Sequence, residues 1–193
     1  MTLLYKILYW AGVTAQIIIR YPYQKLAREG GKSVQRVSRT ENILLVLLTL
    51  FSGVLPLVYS LTPWLAFASY ALPPWLGLCG LLLLVFSLFV FRRAHFDLKA
   101  NWSPSLEIRA DHTLVTDGIY CLVRHPMYLS QLLWALAQIL LLQNGLAGPL
   151  ALLFFIPFYL LRSRAEEKLM LERFGDPYRT YMQTTGGIIP RGK

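Results

Sequence analysis

Apolar residues fall in five long runs along the chain, at about 3–19, 43–61, 64–91, 127–142 and 146–161, with polar residues collected between them. A helix needs roughly 20 residues to cross the hydrocarbon core of a bilayer, within a range of about 17 to 25. The second and third runs meet that length. The fourth and fifth are shorter, but Gln143-Asn144-Gly145 makes a tight, uncharged connection between them, which predicts a helical hairpin. Lys6, Thr14 and Gln16 interrupt the first run, which either crosses or lies along the interface. Pro56, Pro73, Pro74 and Pro157 sit in or near the runs, where neighbouring helices can re-satisfy the carbonyls a proline leaves free. The pattern predicts an all-α integral membrane protein with about five transmembrane helices.

Charge orients these helices. Apart from Lys6, every Lys and Arg lies within 20–39, within 92–124 or after Leu161, and the acidic residues cluster with them. The connections at 61–63 and 143–148 carry no charge. With five spans, all three charged regions fall on one face. By the positive-inside rule that face is cytoplasmic and the N-terminus lies outside. Any chemistry therefore belongs to a pocket on the cytoplasmic face. The chain reads as one membrane domain over 1–193. Residues 1–91 supply three spans and a basic cytoplasmic loop, and 92–193 supply a catalytic half with the hairpin and a C-terminal cytoplasmic helix.

Composition supports this and excludes several classes. Of 193 residues, 55% are hydrophobic and only 15% charged, which leaves too little charge for a soluble surface. The net charge of +9 then reflects topology and anionic headgroups. A nucleic-acid partner would need a soluble basic domain, and none is evident. Cys79 and Cys121 form no CxxC pair, so neither a disulfide nor a zinc site is expected. His95, His112 and His125 are too widely spaced to suggest a metal. No small-residue cleavage site follows the first apolar run, so the N-terminal segment is expected to be retained. Strand–GxGxxG–helix, GxxxxGK[ST] and HExxH signatures are absent.

Three polar constellations remain. In Arg124-His125-Pro126-Met127-Tyr128, the proline suits the first turn of a helix and places His125 at its start. Free amide groups and the helix dipole make such an end a seat for a carboxylate or phosphate. Taken alone, the motif is explained more simply as an interfacial belt of Arg, His and Tyr. After the fifth run, Leu161-Arg162-Ser163-Arg164-Ala165-Glu166-Glu167 has no helix breaker, and Arg162 and Glu166 share a face four residues apart. They form either a solvated exit turn or a pair of charges aimed at a ligand. Upstream, Asp111-His112-Thr113-Leu114-Val115-Thr116-Asp117-Gly118-Ile119-Tyr120 contains a turn signal at Asp117-Gly118.

The order of these pieces is more specific than any one of them. HTLVTDGIYCLVRHPMY leads into a hairpin, then RSRAEEKLMLERFGDPYRTY, then GGIIP. Over residues 111–190 this resembles the isoprenylcysteine carboxyl methyltransferase family and related phospholipid methyltransferases. The chain looks like a short form, without the extra N-terminal spans of the eukaryotic enzymes. The resemblance implies S-adenosylmethionine, with S-adenosylhomocysteine as product, bound at the membrane surface without a Rossmann fold. His112, Thr113, Leu114 and Val115 with Tyr120 would line the adenosine side. His125, Pro126, Met127 and Tyr128 would hold the amino-acid end, and Glu166 would hydrogen-bond the cofactor with Glu167 beside it. Arg162 would pair with the carboxylate of a lipophilic, prenylated acceptor, so that Arg162, Glu166 and Glu167 form the catalytic set. No metal is implied.

Lipid amine methylation by the same cofactor is a nearby alternative. Membrane sterol reductases share a similar C-terminal layout, but a nicotinamide dinucleotide 2′-phosphate would want cations where this chain has Glu166 and Glu167. A scaffold or small transporter would leave the clustered His, Arg and Glu without a purpose.

Overall fold

The computed structural model of the protein describes residues 2–29, 39–102 and 113–191. Among these residues the fold is all-α. Its helices are α1 (Thr2–Glu29), α2 (Arg39–Thr49), α3 (Leu55–Leu61), α4 (Pro74–Leu98), α5 (Pro126–Leu142), α6 (Leu150–Phe174) and α7 (Asp176–Thr184). Extended pairing is limited to isolated bridges, Ser69 with Asn144 and Val123 with Gly186.

A π-helical turn, Leu50–Val54, joins α2 to α3 and makes one rod of the second apolar run. Wider helical turns recur at positions where backbone carbonyls are recruited by side chains. Here Tyr9 donates its hydroxyl to the Ser52 carbonyl at 2.7 Å, and Gln138 Nε2 donates to the Phe51 carbonyl at 3.0 Å. The same Gln138 amide donates to Ala147 at 2.6 Å, so a buried polar side chain of α5 ties α2–α3 to the hairpin connection. A buried amide is tolerated when its donors are all used, as they are here.

The α4–α5 pair is the most extensive helix contact. Gly77, Gly80, Leu84, Ser87, Phe91 and Ala94 form the buried stripe of α4, spaced by three and four residues as a helix face requires. The opposite face is apolar and uncovered, with Leu78, Leu82, Val85, Phe86 and Phe89 all exposed. Helices 42–61 and 74–98 are long and apolar enough to cross a membrane, and only 11% and 33% of their most apolar windows are buried. Exposed apolar surface on that scale has to meet something other than water.

The third apolar run does not become one helix from 64. Tandem Pro73-Pro74 starts α4 at the second proline, and 64–73 instead folds as a loop around Asn144. A proline is tolerated in a helix's first turn but restricts the residue before it to extended backbone. Asn144 Nδ2 donates to the Leu65 carbonyl at 2.7 Å, while its Oδ1 accepts from Leu146 and Ala147. That amide turns α5 into α6 and makes the predicted hairpin. The first run extends as helix to Glu29, and α6 continues thirteen residues beyond Leu161 before Gly175, in the left-handed region at φ 60°, ends it. Cys79 and Cys121 are free thiols.

The two ends of the bundle differ in character. One end holds the uncharged connections, with Tyr5 donating to the Pro74 carbonyl at 3.3 Å. At the other end Tyr23 of α1 meets His95 of α4, and the starts of α5 and α7 meet the polar end of α6.

Candidate active site

The predicted site residues converge at the polar end. Pro126 opens α5 and fixes His125 just before it, where the His125 side chain turns to α6 rather than capping its own helix. The segment leading into α5 is paired with the C-terminal tail: Arg124 N–H donates to Gly186 O at 2.8 Å and His125 N–H to Gly187 O at 3.1 Å. This gives the GGIIP ending a structural use, since it positions the backbone that carries the histidine.

Glu166 and Glu167 are adjacent on α6 but have different surroundings. Glu166 accepts the Tyr128 hydroxyl at 2.5 Å and Arg162 Nε at 3.2 Å, with His125 Nδ1 3.7 Å from its second oxygen. Glu167 accepts Arg124 Nη2 at 2.6 Å, Arg124 Nε at 3.2 Å and His125 Nε2 at 3.0 Å. The hydrogen bond from His125, supported by Arg124, holds the Glu167 carboxyl at about 2, far below the ordinary carboxylate range, against burial that acts in the opposite direction. Arg124 also donates to the carbonyls of Met182 and Thr185, so one guanidinium joins α5, α6 and the end of α7.

Tyr120 lies under this network. Its carbonyl accepts the Tyr181 hydroxyl at 2.5 Å, and its own hydroxyl reaches Ala94 O at 3.4 Å. Burial raises the pKa of Tyr120, Tyr178 and Tyr181, which keeps all three neutral donors. Thr113 is fixed by Asn101, whose amide accepts the Thr113 N–H at 3.0 Å and donates to its hydroxyl at 3.1 Å.

A cavity of about 450 Å³ opens among these elements, a volume in the range of small-molecule sites. Thr113, Leu114, Val115 and Tyr120 line it on one side. His125, Pro126, Met127, Tyr128, Arg162 and Glu166 line it on another. Glu167 is not a lining residue; it braces Arg124 and His125 from behind. His112 lies outside the described residues. Leu45, Leu48, Thr49 and Ser52 of the 42–61 rod also reach the cavity, so one wall belongs to a helix with an uncovered apolar face. Among the described residues no group of His, Cys, Asp and Glu is arranged to hold a metal.

Three contributors were given no role in the site from sequence. Arg124 is the hub of the network, and its partner 43 residues away is not a local signal. Gln16 and Arg20 of α1 also line the cavity. Their signal was present, because they are polar residues four apart at the end of an apolar run and so share a helix face.

Part of the chain is similar to known proteins. Residues 79–172, just under half of the chain, match the isoprenylcysteine carboxyl methyltransferase (ICMT) family. A protein-S-isoprenylcysteine O-methyltransferase of Schizosaccharomyces pombe is 41% identical over 80 residues, covering 42% of this chain and 34% of that protein. The Mus musculus protein of the same name is 31% identical over 117 residues, covering 60% of this chain and 41% of that protein. Among solved structures, the eukaryotic intramembrane Ras methyltransferase, isoprenylcysteine carboxyl methyltransferase, superposes with a TM-score of 0.56 at 26% identity, covering 81% of this chain and 54% of that one. The matches to the two curated relatives cover about a third to two fifths of their length. The chain thus resembles this family over residues 79–172, and with its uncovered apolar helices it is an integral membrane protein.

Proposed function

We propose that this protein, as a chain resembling the isoprenylcysteine carboxyl methyltransferases, is an S-adenosylmethionine-dependent methyltransferase acting on the carboxylate of an isoprenylated cysteine or a similar lipophilic acceptor. The observation that carries the reading is Glu166. It is a carboxylate held by Tyr128 and Arg162 beside His125, facing a cavity one wall of which is an apolar, membrane-length helix.

The residues present fit the methyl donor. Glu166 offers an acceptor for an ammonium group. Leu114, Val115, Leu169 and Met170 offer apolar contact for a flat base and sugar. When bound, S-adenosylmethionine supplies an electrophilic methyl on a positive sulfur. The chain's own part is to position the acceptor and to exclude water. A carboxylate is already ionised at neutral pH, so the acceptor needs no general base. What remains is alignment, which can supply several kcal/mol of the barrier, on the order of 7–11 in well-oriented systems. Arg162 pairs with the acceptor carboxylate through a planar fork that fixes orientation as well as charge. Tyr128 and Arg162 are themselves fixed by Glu166, and Glu167 and Arg124 hold His125, so the constellation is organised before any ligand arrives.

A prenyl tail has a route along Leu45 and Leu48 while its polar head reaches Glu166 and Arg162. This reading includes about five crossings, with α1 as the first and the α5–α6 hairpin as the last two, and a cytoplasmic polar end. The test is calorimetric titration of detergent-purified protein with S-adenosylhomocysteine, with NADPH in parallel. Saturable binding of the former that weakens in Glu166→Ala is expected. Binding of NADPH alone would move the assignment to a reductase.

A further inference from the structure

The cavity carries one charge that the network described above does not absorb. Of its lining residues, Arg162 is paired with Glu166, and Arg124 with Glu167. Arg20, on the α1 wall, has no acidic partner among the described residues. Its guanidinium lies over two aromatic rings instead, 5.4 Å from the Trp102 centroid and 5.9 Å from that of Phe91. Both rings are buried, and His95 packs against each, at 5.2 Å and 4.3 Å, so the platform under the cation is rigid. One turn earlier on the same face is Gln16, whose buried Nε2 has no hydrogen-bond partner. The α1 wall therefore offers an unneutralised cation and an unused amide donor to whatever fills the cavity. An unmet buried donor is unfavourable, and a ligand carrying an acceptor would relieve it.

We propose that Arg20, assisted by Gln16, selects an acceptor whose head group is an anion. The inference rests on the methyltransferase reading and sharpens its substrate class. A positively charged methyl donor and an Arg20 without an acidic partner repel each other across the same cavity, and the repulsion ends when a carboxylate enters. An amine acceptor, protonated at neutral pH, would add a third positive charge. The arrangement therefore favours transfer to oxygen over transfer to nitrogen. It also gives α1 a role in the reaction, although α1 lies outside the segment matched to the family, residues 79–172. The transfer balances simply: a carboxylate oxygen forms a bond to the methyl carbon, the carbon–sulfur bond breaks, its electron pair stays on sulfur, and a neutral ester is released. Ester formation removes the charge that Arg20 and Arg162 hold, which favours product release.

The test uses the full chain in detergent with S-adenosylhomocysteine bound, and measures binding of an N-acylated S-farnesyl cysteine and of its neutral amide. Wild type is expected to prefer the acid by roughly tenfold or more, the scale of about 1.4 kcal/mol from a partly buried charge pair. Arg20→Gln is expected to lose most of that preference, Arg162 keeping the remainder, with S-adenosylhomocysteine affinity unchanged, and Arg20→Lys to keep more of it. Retention of the full preference in Arg20→Gln overturns the role of Arg20 alone. Should Arg20→Gln not fold, Arg20→Lys and Gln16→Leu, which keep the helix face filled, carry the same comparison. A wild type that binds S-adenosylhomocysteine but treats acid and amide alike also overturns this inference. A wild type that binds neither the cofactor product nor the lipid overturns the methyltransferase reading itself.

Discussion

Arg124 and Glu167 meet at 2.6 Å between Nη2 and Oε1, joining the residue before His125 to the polar C-terminal half of α6. Both side chains are largely shielded, and the same guanidinium reaches two carbonyls at the end of α7. The pair links three helices that are distant in sequence, and it stands behind the cavity wall rather than in it.

Breaking that pair is expected to damage the fold before the chemistry. Arg124→Leu leaves Glu167 with His125 alone and takes a donor from two helix-terminal carbonyls, of which Met182 O keeps Arg191 at 3.1 Å. Removing one partner of a shielded, hydrogen-bonded ion pair costs on the order of 3–5 kcal/mol when fully buried, and less at this partial exposure. Thermal unfolding in detergent should drop by several degrees. An unchanged midpoint would show that the network is not a brace.

Glu166→Gln is expected to do the reverse. The amide keeps the size and a bond to Tyr128, so the unfolding midpoint should stay close to wild type. S-adenosylhomocysteine affinity should fall by roughly ten- to a hundredfold, since hydrogen bonds to charged groups contribute about 1.5–3 kcal/mol. Tyr128→Phe removes one of the contacts that aim the carboxylate and should cost a smaller factor. Equal affinity in all three proteins would remove Glu166 from the site.

The contrast between neighbouring glutamates also marks how far the sequence could be read. The helical hairpin was legible because Gln143-Asn144-Gly145 interrupts two apolar runs without charge, a local signal. The Arg162–Glu166 relation was legible because four residues separate the two on one helix. The different environments of Glu166 and Glu167 were not, because they depend on which partners α5 and the C-terminal tail bring. Arg124 lies 43 residues from Glu167. The start of α4 at Pro74 follows a local rule, but the preceding residues are held by Asn144 from the far side of the hairpin, and that contact has no sequence signature. Gln16 reads as an interruption of an apolar run and Arg20 as the start of the basic segment, because their shared destination, the cavity, is set by packing.

Acid should weaken the brace within a defined window. The Glu167 carboxyl titrates at about 2 in the folded protein against an ordinary value of 4.5, so its ionised form favours the folded state. For a lowered carboxylate this contribution is complete above pH 4.5, declines as pH falls through the interval, and is gone near pH 2. The stability gap between wild type and Glu167→Gln should therefore be flat from pH 7 to about 5 and narrow below that. A gap that instead widened on acidification would contradict the assigned direction.

Gly118 tests how tightly the loop before α5 is set. Its φ is +60°, and a Cβ there would clash with Asp97 Oδ2. That oxygen accepts the Ile119 N–H at 2.8 Å, and the other oxygen of Asp97 pairs with Arg93 at 3.1 Å, so the carboxylate has little freedom to retreat. Gly118→Ala therefore meets both a left-handed backbone and a clash, and a destabilisation of about 1–3 kcal/mol is expected. The two causes separate in a double-mutant cycle. In an Asp97→Ala background the clash is absent while the backbone requirement remains, so the cost of Gly118→Ala should shrink without vanishing. Because Gly118 leads directly into Tyr120, whose carbonyl receives the Tyr181 hydroxyl, the single variant should also weaken S-adenosylhomocysteine binding. Strictly additive effects would assign the whole cost to the backbone and none to Asp97.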